Sequence, residues 1–483
     1  MTDPCVVGID VGSTYIKAVL TDLTGAEVAT ARRATPWRNL SRGRTEMPPQ
    51  ALVDTVTSAL EELGRHQRAV LGIGVSGMAE AGVLVDAADR WHGPVIAWFD
   101  PRGADELAAL PDDLRSEFPG RTGLPVSPLA TLAKLWHGTR VDGRALAGLQ
   151  WLNVPELVAW ALGGERYCEG SLAGRTGLVD QDTGRVWSRA VEVLGADDTL
   201  LPPLRQAGDS WGAATRSVPA AMAGAVLTVA GHDHLLAAAA AGVLDVDTLY
   251  DSMGTAEALV RVMDGVLDHG ARARLAAHDI NVGRHMLPGR GVMLAGTKTG
   301  LLMRRTLQLV GVHDAEGRAA LDEQVMLLPP EEAGAAGIEV SGAANSDGVL
   351  KIRVDSDGLS PARLFDAALQ HGSEVLLDVI SHMDAENPAA TRSVLAGGWS
   401  RMRSVRRSRE RILPSVRVSQ HEEDTAFGAA LVAAYAADPT ADDLAGFLAR
   451  GLAPDARTPP AAVPVVATDT NTASTASRES SSR

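Results

Sequence analysis

One local pattern occurs twice in this chain, and it constrains the fold more than any other feature. Near the start, Cys5 to Asp10 reads as a strand of small and β-branched residues that ends in an acid. Val11-Gly12-Ser13-Thr14 is a tight polar turn, and Tyr15 to Thr21 returns as a second strand. In the second half, Thr248-Leu249-Tyr250-Asp251-Ser252-Met253-Gly254-Thr255 repeats the order strand, acid, glycine, hydroxyl, and Ala256 to Val262 returns. In such a turn glycine lets the backbone fold tightly and bring amides towards an anion. Ser13 and Thr14 add hydroxyl donors, Lys17 adds a cation, and Asp10 is placed to hold a metal through water. Either hairpin alone could be an ordinary Gly-Ser turn. Two of them, one heading each half, predict two related domains that face one cleft.

The chain of 483 residues exceeds what one hydrophobic core usually serves, which fits two domains. The expected division is 1–245, 246–452 and a tail, 453–483, whose Ala/Thr/Ser/Pro-rich composition predicts disorder. A net charge of -15 argues against a nucleic-acid partner, which needs a basic face. It does not oppose ATP, because local amides and Mg2+ can outweigh global charge. Cys5 and Cys168 form no CxxC and no Cys/His cluster, so neither a disulfide framework nor a structural zinc is expected. No signal peptide is read at Met1-Thr2-Asp3-Pro4, and no apolar run approaches the roughly 20 residues of a membrane helix. A cytoplasmic protein with no membrane partner is therefore expected. A homodimer is left open.

Between the hairpins lies Thr228-Val229-Ala230-Gly231-His232-Asp233-His234. Ala225 to Ala230 reads as a buried strand, and the alanine-rich run from Leu235 to Ala241 as a helix. A carboxylate at such a strand-to-helix turn is rigidly held, partly desolvated and open on one side, which suits a general base. The plainer reading of Asp233 is a helix cap. The two flanking hairpins favour the base.

Other polar groups fall at strand ends. Val70 to Val75 leads to Ser76-Gly77-Met78-Ala79-Glu80, where Glu80 can grip sugar hydroxyls or be a solvated loop residue. Pro94 to Trp98 leads to Phe99-Asp100-Pro101-Arg102; an indole beside Asp and Arg suits the apolar face and polar edge of a sugar. Helical spacing marks Pro49 to Leu63, through Leu52, Val53, Val56, Ala59, Leu60 and Leu63. Residues 103–224 read as mostly helical, including Leu129 to Trp136 and Val154 to Leu162 behind an Asn153 cap. Trp151, Trp160 and Trp187 read as core. Later, Val292 to Ala295 leads to Gly296-Thr297-Lys298-Thr299-Gly300 and a helix through Leu309, and Ser360-Pro361 opens another helix. Gly397-Gly398-Trp399-Ser400 follows a strand; its glycines admit a ligand to the backbone or pack a helix turn. Arg401 to Arg411 carries six arginines and reads as a solvated helix face.

Taken together these motifs resemble the FGGY carbohydrate kinases of the actin-like ATPase superfamily. The resemblance spans nearly all of residues 5–437, on Gly8 to Thr14, Gly77 to Glu80, Trp98 to Arg102, Gly231 to His234, Ser252 to Thr255, Gly397 to Ser400 and Phe427-Gly428-Ala429-Ala430. It implies an α/β fold of two actin-like (ribonuclease H-like) domains, each a mixed sheet flanked by helices, with a cleft between. It implies ATP, Mg2+ and a sugar or polyol substrate, such as a ketopentose or ketohexose. Asp233 matches the catalytic base, and Asp10 with Asp233 the metal acids. Ser13, Thr14 and Lys17 match the first phosphate loop; Gly254, Thr255, Gly296, Gly300, Gly397 and Gly398 match the nucleotide side. Met78, Glu80, Trp98, Asp100 and His234 match the substrate side. The chain also departs from the pattern. Glycerol kinases carry Arg immediately before the acid matching Glu80; here Ala79 argues against glycerol. Xylulokinases usually have His at the Glu80 position and Asn or Thr at the His234 position. Lys134-Leu135-Trp136 lacks the residue usually found between Leu and Trp, and Trp399 replaces a third glycine in the nucleotide pocket. Two other readings stand beside the kinase: a nucleotide-dependent scaffold of the same superfamily, and a sugar-sensing regulator without catalysis.

Overall fold

The computed structural model describes residues 3–452 apart from 255, 330–336, 344–348, 356, 358, 420–423, 439 and 442. Thr255 and the tail 453–483, for which disorder was expected, lie outside the described residues. The first sheet contains β1 (Cys5–Val11), β2 (Tyr15–Asp22), β3 (Glu27–Ala34), β4 (Val70–Gly77) and β5 (Val226–His232), in the order β5-β4-β1-β2-β3. The first three form an antiparallel meander; β4 and β5 add in parallel on the other side of β1. All of β1 is buried, so it reads as a continuous apolar run, as a strand covered on both faces must. Helix α1 (Pro49–Gly64) covers one face with the apolar stripe its spacing predicts. Between β4 and β5 runs a long insertion with α2 (Thr131–Arg140) and α3 (Val154–Ala161).

The start of α2 falls two residues later than expected. Ser127 Oγ accepts the Leu129 N–H at 3.1 Å, and this turn holds the preceding residues out of the helix. Helix α3 begins as predicted, behind a reciprocal Asn153/Glu156 capping box. The insertion also holds short strands that a mostly helical reading misses, among them Gln150–Asn153 paired antiparallel to Gly82–Val85.

Helix α4 (Asp233–Ala240) follows β5 directly. The second sheet then contains β6 (Thr248–Met253), β7 (Glu257–Asp264), β8 (Asn281–Arg284), β9 (Arg290–Thr297), β10 (Arg392–Ala396) and β11 (Val416–Val418), ordered β8-β9-β7-β6-β10-β11. Without β8, its five strands repeat the first sheet: a meander of three, then two parallel strands beyond its first member. The repeated hairpin is thus one piece of a repeated topology. Helices α5 (Thr299–Leu309), α6 (Ala315–Met326), α7 (Pro361–Glu386) and α8 (Arg403–Glu410) belong to this half. Ser360 caps α7, accepting the Arg363 N–H at 3.3 Å.

A later helix, α9 (Asp424–Ala437), returns to the first sheet. Gly8, Gly72 and Gly74 let it approach: a Cβ at each would lie 1.9, 2.5 and 2.1 Å from the carbonyl oxygens of Ala426, Ala433 and Ala429. Ala429, Leu431 and Val432 share a core with α4 and with Tyr250 and Val260 of the second sheet. The expected cut at 245/246 therefore separates the sheets but not the packing. The arginine run departs further from expectation. Arg409 is 1% exposed, and Arg407 donates to the carbonyls of Val325 and Met326 at 2.7 and 3.0 Å, so α8 is docked through these two, while Arg401, Arg403 and Arg411 are exposed as expected.

Candidate active site

Asp233 is the first residue of α4, immediately beyond the buried end of β5. Two contacts fix that end. Ser76 Oγ on β4 donates to the Gly231 carbonyl at 2.8 Å, and the His232 N–H donates to Ser171 Oγ at 3.1 Å. Gly231 has φ 98°, and a Cβ there would meet Ser171 Oγ at 3.0 Å and Met286 Cβ at 3.1 Å, so the turn requires glycine. Asp233 Oδ1 accepts the His234 N–H at 2.7 Å and lies 3.2 Å from His232 Nε2. Burial keeps His232 neutral, with its pKa pushed down to about 3, and its Nε2 faces Oδ1. Burial acts to raise the Asp233 pKa, but His234, His232, the His234 amide and Arg175 together outweigh it and hold the carboxyl below its ordinary value. The side chain keeps 21% exposure. One oxygen is fixed by the protein, and the other is left to meet a substrate.

The substrate-side residues divide into three kinds. Glu80, at φ 60° and 6% exposed, accepts from Arg175 Nε at 2.6 Å and also pairs with Arg175 Nη2. The same Arg175 is an electrostatic neighbour of Asp233 and His232. Sequence reasoning missed Arg175, which lies 95 positions from Glu80 and in no recognised motif. It also qualifies the point drawn from Ala79, since the guanidinium beside Glu80 comes from another element. His234 is half-buried with its ring centroid 5.5 Å from that of His232. Asp100 is different: its oxygens accept the Thr45 N–H at 2.6 Å, the Arg102 N–H and Nε at 2.9 Å, and Arg102 Nη2 at 2.8 Å. With its side chain fully buried and those donors in place, Asp100 holds the wall of the site rather than offering an acceptor to a sugar. Met78 is likewise 2% exposed and belongs to the first-sheet core, its N–H closing onto the Val11 carbonyl at 3.1 Å. Both residues were expected to touch substrate, and burial removes them from that role.

Trp98 joins the substrate wall to the first hairpin. Its Nε1 donates to Ser13 Oγ at 2.8 Å, while Trp37 Nε1 donates to the Ser13 carbonyl at 2.8 Å and Thr35 Oγ1 to the Gly12 carbonyl at 2.7 Å. Beneath them, Lys134 donates to the carbonyls of Trp98, Pro128 and Leu129 at 2.9, 2.5 and 3.0 Å, and burial lowers its pKa to about 8. Asp10 and Lys17 face one another across the β1–β2 pair. Gly12 closes the turn over Asp10: a Cβ there would fall 3.6 Å from Asp10 Oδ2.

The second hairpin repeats this shape with other chemistry. Asp251, the counterpart of Asp10, is fully buried beside Arg409 Nε at 3.2 Å, and Arg409 Nη2 reaches Glu257 at 2.5 Å. Burial and the neighbouring Glu257 push the Asp251 carboxyl up, so this acid is structural. Gly254 and Gly300 open instead onto a cavity of about 560 Å³ shared with Arg304, Arg318, Gly398 and Trp399. Gly397, at φ 82°, fits against the Met253 backbone, where a Cβ would meet Met253 O at 2.5 Å. Gly296 lies on β9 opposite Ala258, exposed and outside the cavity wall.

Two sheets of one topology, an acid at a strand-to-helix turn of the first and a glycine-lined cavity against the second define an α/β protein of the two-domain actin-like class. Residues 5–240 match the N-terminal domain of the FGGY family of carbohydrate kinases. The chain is 28% identical over 270 residues to xylulose kinase of Klebsiella pneumoniae, covering 54% of this chain and 55% of the relative. The chain spans about half the length of the curated relatives it matches. Over the whole fold it superposes on the crystal structure of xylulose kinase from Rhodospirillum rubrum with a TM-score of 0.80, at 23% identity and 92% coverage of each chain. Plasmodium falciparum glycerol kinase with ADP gives a TM-score of 0.80 at 16% identity and 93% coverage of each.

Proposed function

We propose that this protein transfers the terminal phosphoryl group of ATP to a hydroxyl of a sugar or polyol, with Asp233 as general base. The observation that carries this reading is the state of Asp233: Oδ1 accepts the His234 N–H beside His232 Nε2, and Oδ2 has no hydrogen-bond partner among the described residues. The hydroxyl proton passes to Oδ2 as the acceptor oxygen bonds to phosphorus. The bond from phosphorus to the bridging oxygen breaks, and ADP leaves. Such a transfer depends mainly on positioning and charge stabilisation, so a carboxyl below its ordinary pKa is base enough. Arg175 and Glu80 offer a donor and an acceptor side by side, matched to the hydroxyls of a polyol. Relatives of this chain are named xylulose kinase, glycerol kinase and gluconokinase, which supports a sugar or polyol acceptor.

The nucleotide reading rests on the cavity with Gly254, Gly300 and Gly398, and on a structural neighbour solved with ADP. Ser13, Thr14 and Lys17 would face the phosphates. Asp10 and Asp233 would hold Mg2+ through water. Asp10 pairs with Ser76 and Ser76 with Gly231, two residues before Asp233, so the two acids stand at the same end of one sheet. Magnesium would neutralise charge on the phosphates there. The first half, to residue 245, thus takes the acceptor and the second, from 246 to 452, the nucleotide. Among the described residues no helix is long and apolar enough to cross a membrane.

The test is Asp233→Asn, assayed by ADP release over ketopentoses, ketohexoses and polyols. Turnover falls by about 10²–10⁴-fold while nucleotide affinity stays within a few-fold. Unchanged turnover would falsify the role of Asp233. No acceptor-stimulated ADP release from the parent protein would leave the scaffold or regulator reading in its place.

A further inference from the structure

We propose that the cavity beside Gly254 selects nucleotides through the acceptors on the base edge, so that GTP and ITP bind at least as tightly as ATP. The inference rests on the reading of that cavity as the nucleotide site. Its hydrogen-bonding side chains are Arg304, Arg318, Arg401, Trp399 and Asp322. Four of these only donate: three guanidinium groups and one indole N–H. Asp322 is the single side-chain acceptor, and part of its capacity is taken. Its Oδ2 accepts the Arg403 N–H and its Oδ1 the Ser404 N–H, each at 2.8 Å, which ties the carboxylate to the start of α8 at 9% exposure. Arg304 on α5 and Arg318 on α6 are exposed along the cavity wall and form no ion pair with a described residue.

Donor-only walls distinguish purines by what the base offers. The 6-amino group of adenine needs an acceptor and meets, among these side chains, only the spare lone pairs of the buried Asp322. Guanine and hypoxanthine present O6 and N7 as adjacent acceptors, the edge that a guanidinium fork engages in two parallel hydrogen bonds. Trp399, where the family pattern has a small residue, supplies an aromatic face with Met253 and Met402 nearby. Stacking on such a face is insensitive to the base, since every base has a π surface. The combination predicts a site that holds any purine by its plane and favours a 6-oxo purine by its edge.

The experiment is calorimetric titration of the full chain with ATP, GTP and ITP in the presence of Mg2+, which needs no knowledge of the acceptor. The expected Kd values for GTP and ITP equal or undercut that for ATP. The paired change Arg304→Ala with Arg318→Ala weakens GTP about tenfold, in line with one bidentate base contact, and ATP by less than threefold. Arg304→Lys with Arg318→Lys keeps the charge without the fork and reproduces the loss for GTP. ATP binding tenfold tighter than both others overturns the inference and leaves the nucleotide site standing, as does equal weakening of ATP and GTP in the alanine variant. Absence of binding by any of the three overturns the nucleotide site itself, and the inference with it.

Discussion

Removing Arg175 should separate what holds the acceptor site together from what performs the chemistry. The Arg175 and Glu80 side chains are 17% and 8% exposed, and Nε lies 2.6 Å from Oε1. At about 4 Å between charge centres and an effective dielectric near 20, the attraction is about 4 kcal/mol. Arg175→Met keeps most of the apolar stem and leaves the Glu80 carboxylate buried without its partner. Loss of one member of a buried pair costs about 3–5 kcal/mol, and the remaining exposure puts this pair at the lower end, about 3 kcal/mol. Adding Glu80→Gln removes the stranded charge and should restore about 2 kcal/mol. Urea denaturation of the parent, both single variants and the double variant gives the coupling directly. Activity should not follow stability, because Arg175 is also the cation that helps keep Asp233 ionised. The double variant then folds well but stays slow, with a raised acceptor KM. A cost under about 1 kcal/mol for Arg175→Met, or a double variant no more stable than the single, would show that the pair does not secure the site.

Two further outcomes test the frame around it. Trp98→Phe keeps an aromatic ring beside Phe99 but deletes the donor to Ser13 Oγ; stability should fall by about 1 kcal/mol while the nucleotide KM rises several-fold, and an unchanged KM would disconnect Trp98 from the phosphate turn. Glu156, fully buried in the first turn of α3, has its pKa raised by burial from 4.5 to about 7. A folded-state value above the unfolded one favours the protonated form in the fold, so its contribution is complete below pH 4.5 and lost as pH rises through 7. That loss is about 3 kcal/mol, and Glu156→Gln should flatten the change in urea midpoint between pH 5 and pH 8; an equally steep change in the variant would place the titration elsewhere.

The elements legible in the sequence are those whose signal is local. The two hairpins, the α1 stripe, the Asn153 and Ser360 caps and the strand-to-helix turn at Asp233 are each short contiguous segments, and each is found where it was expected. Partners distant along the chain were not legible. Glu80 was weighed as a sugar ligand or a solvated loop residue, and the structure gives it Arg175. Asp100 read as a sugar ligand because nothing showed that the Thr45 amide would complete its shell with Arg102. The six arginines of 401–411 read as solvated because the acids that bury Arg409, Asp251 and Glu257, precede it by more than 150 residues. Nor could periodicity reveal that α9 would lie on Gly8, Gly72 and Gly74, since the backbone contact leaves no apolar side chain on the sheet to count.

If the cleft takes a triphosphate as proposed, the divergence of the two hairpins has a physical reason. Topology gives each half an acid at the same place, Asp10 on β1 and Asp251 on β6. An open carboxylate facing phosphate from each side would add like-charge repulsion unless each brought its own cation. The second half removes the conflict by enclosing Asp251 with Glu257 around Arg409, and Arg409 is also anchored to Ser373 of α7 at 2.9 Å. What remains exposed there is glycine backbone and arginine, a surface of donors. The first half keeps its acid at the turn, with Lys17 opposite and Asp233 two strands away. One duplicated framework thus yields two unlike faces: a carboxylate face that can take a cation and a proton, and a donor face that can take an anion. Phosphoryl transfer requires that difference, and a symmetric pair of hairpins would not provide it.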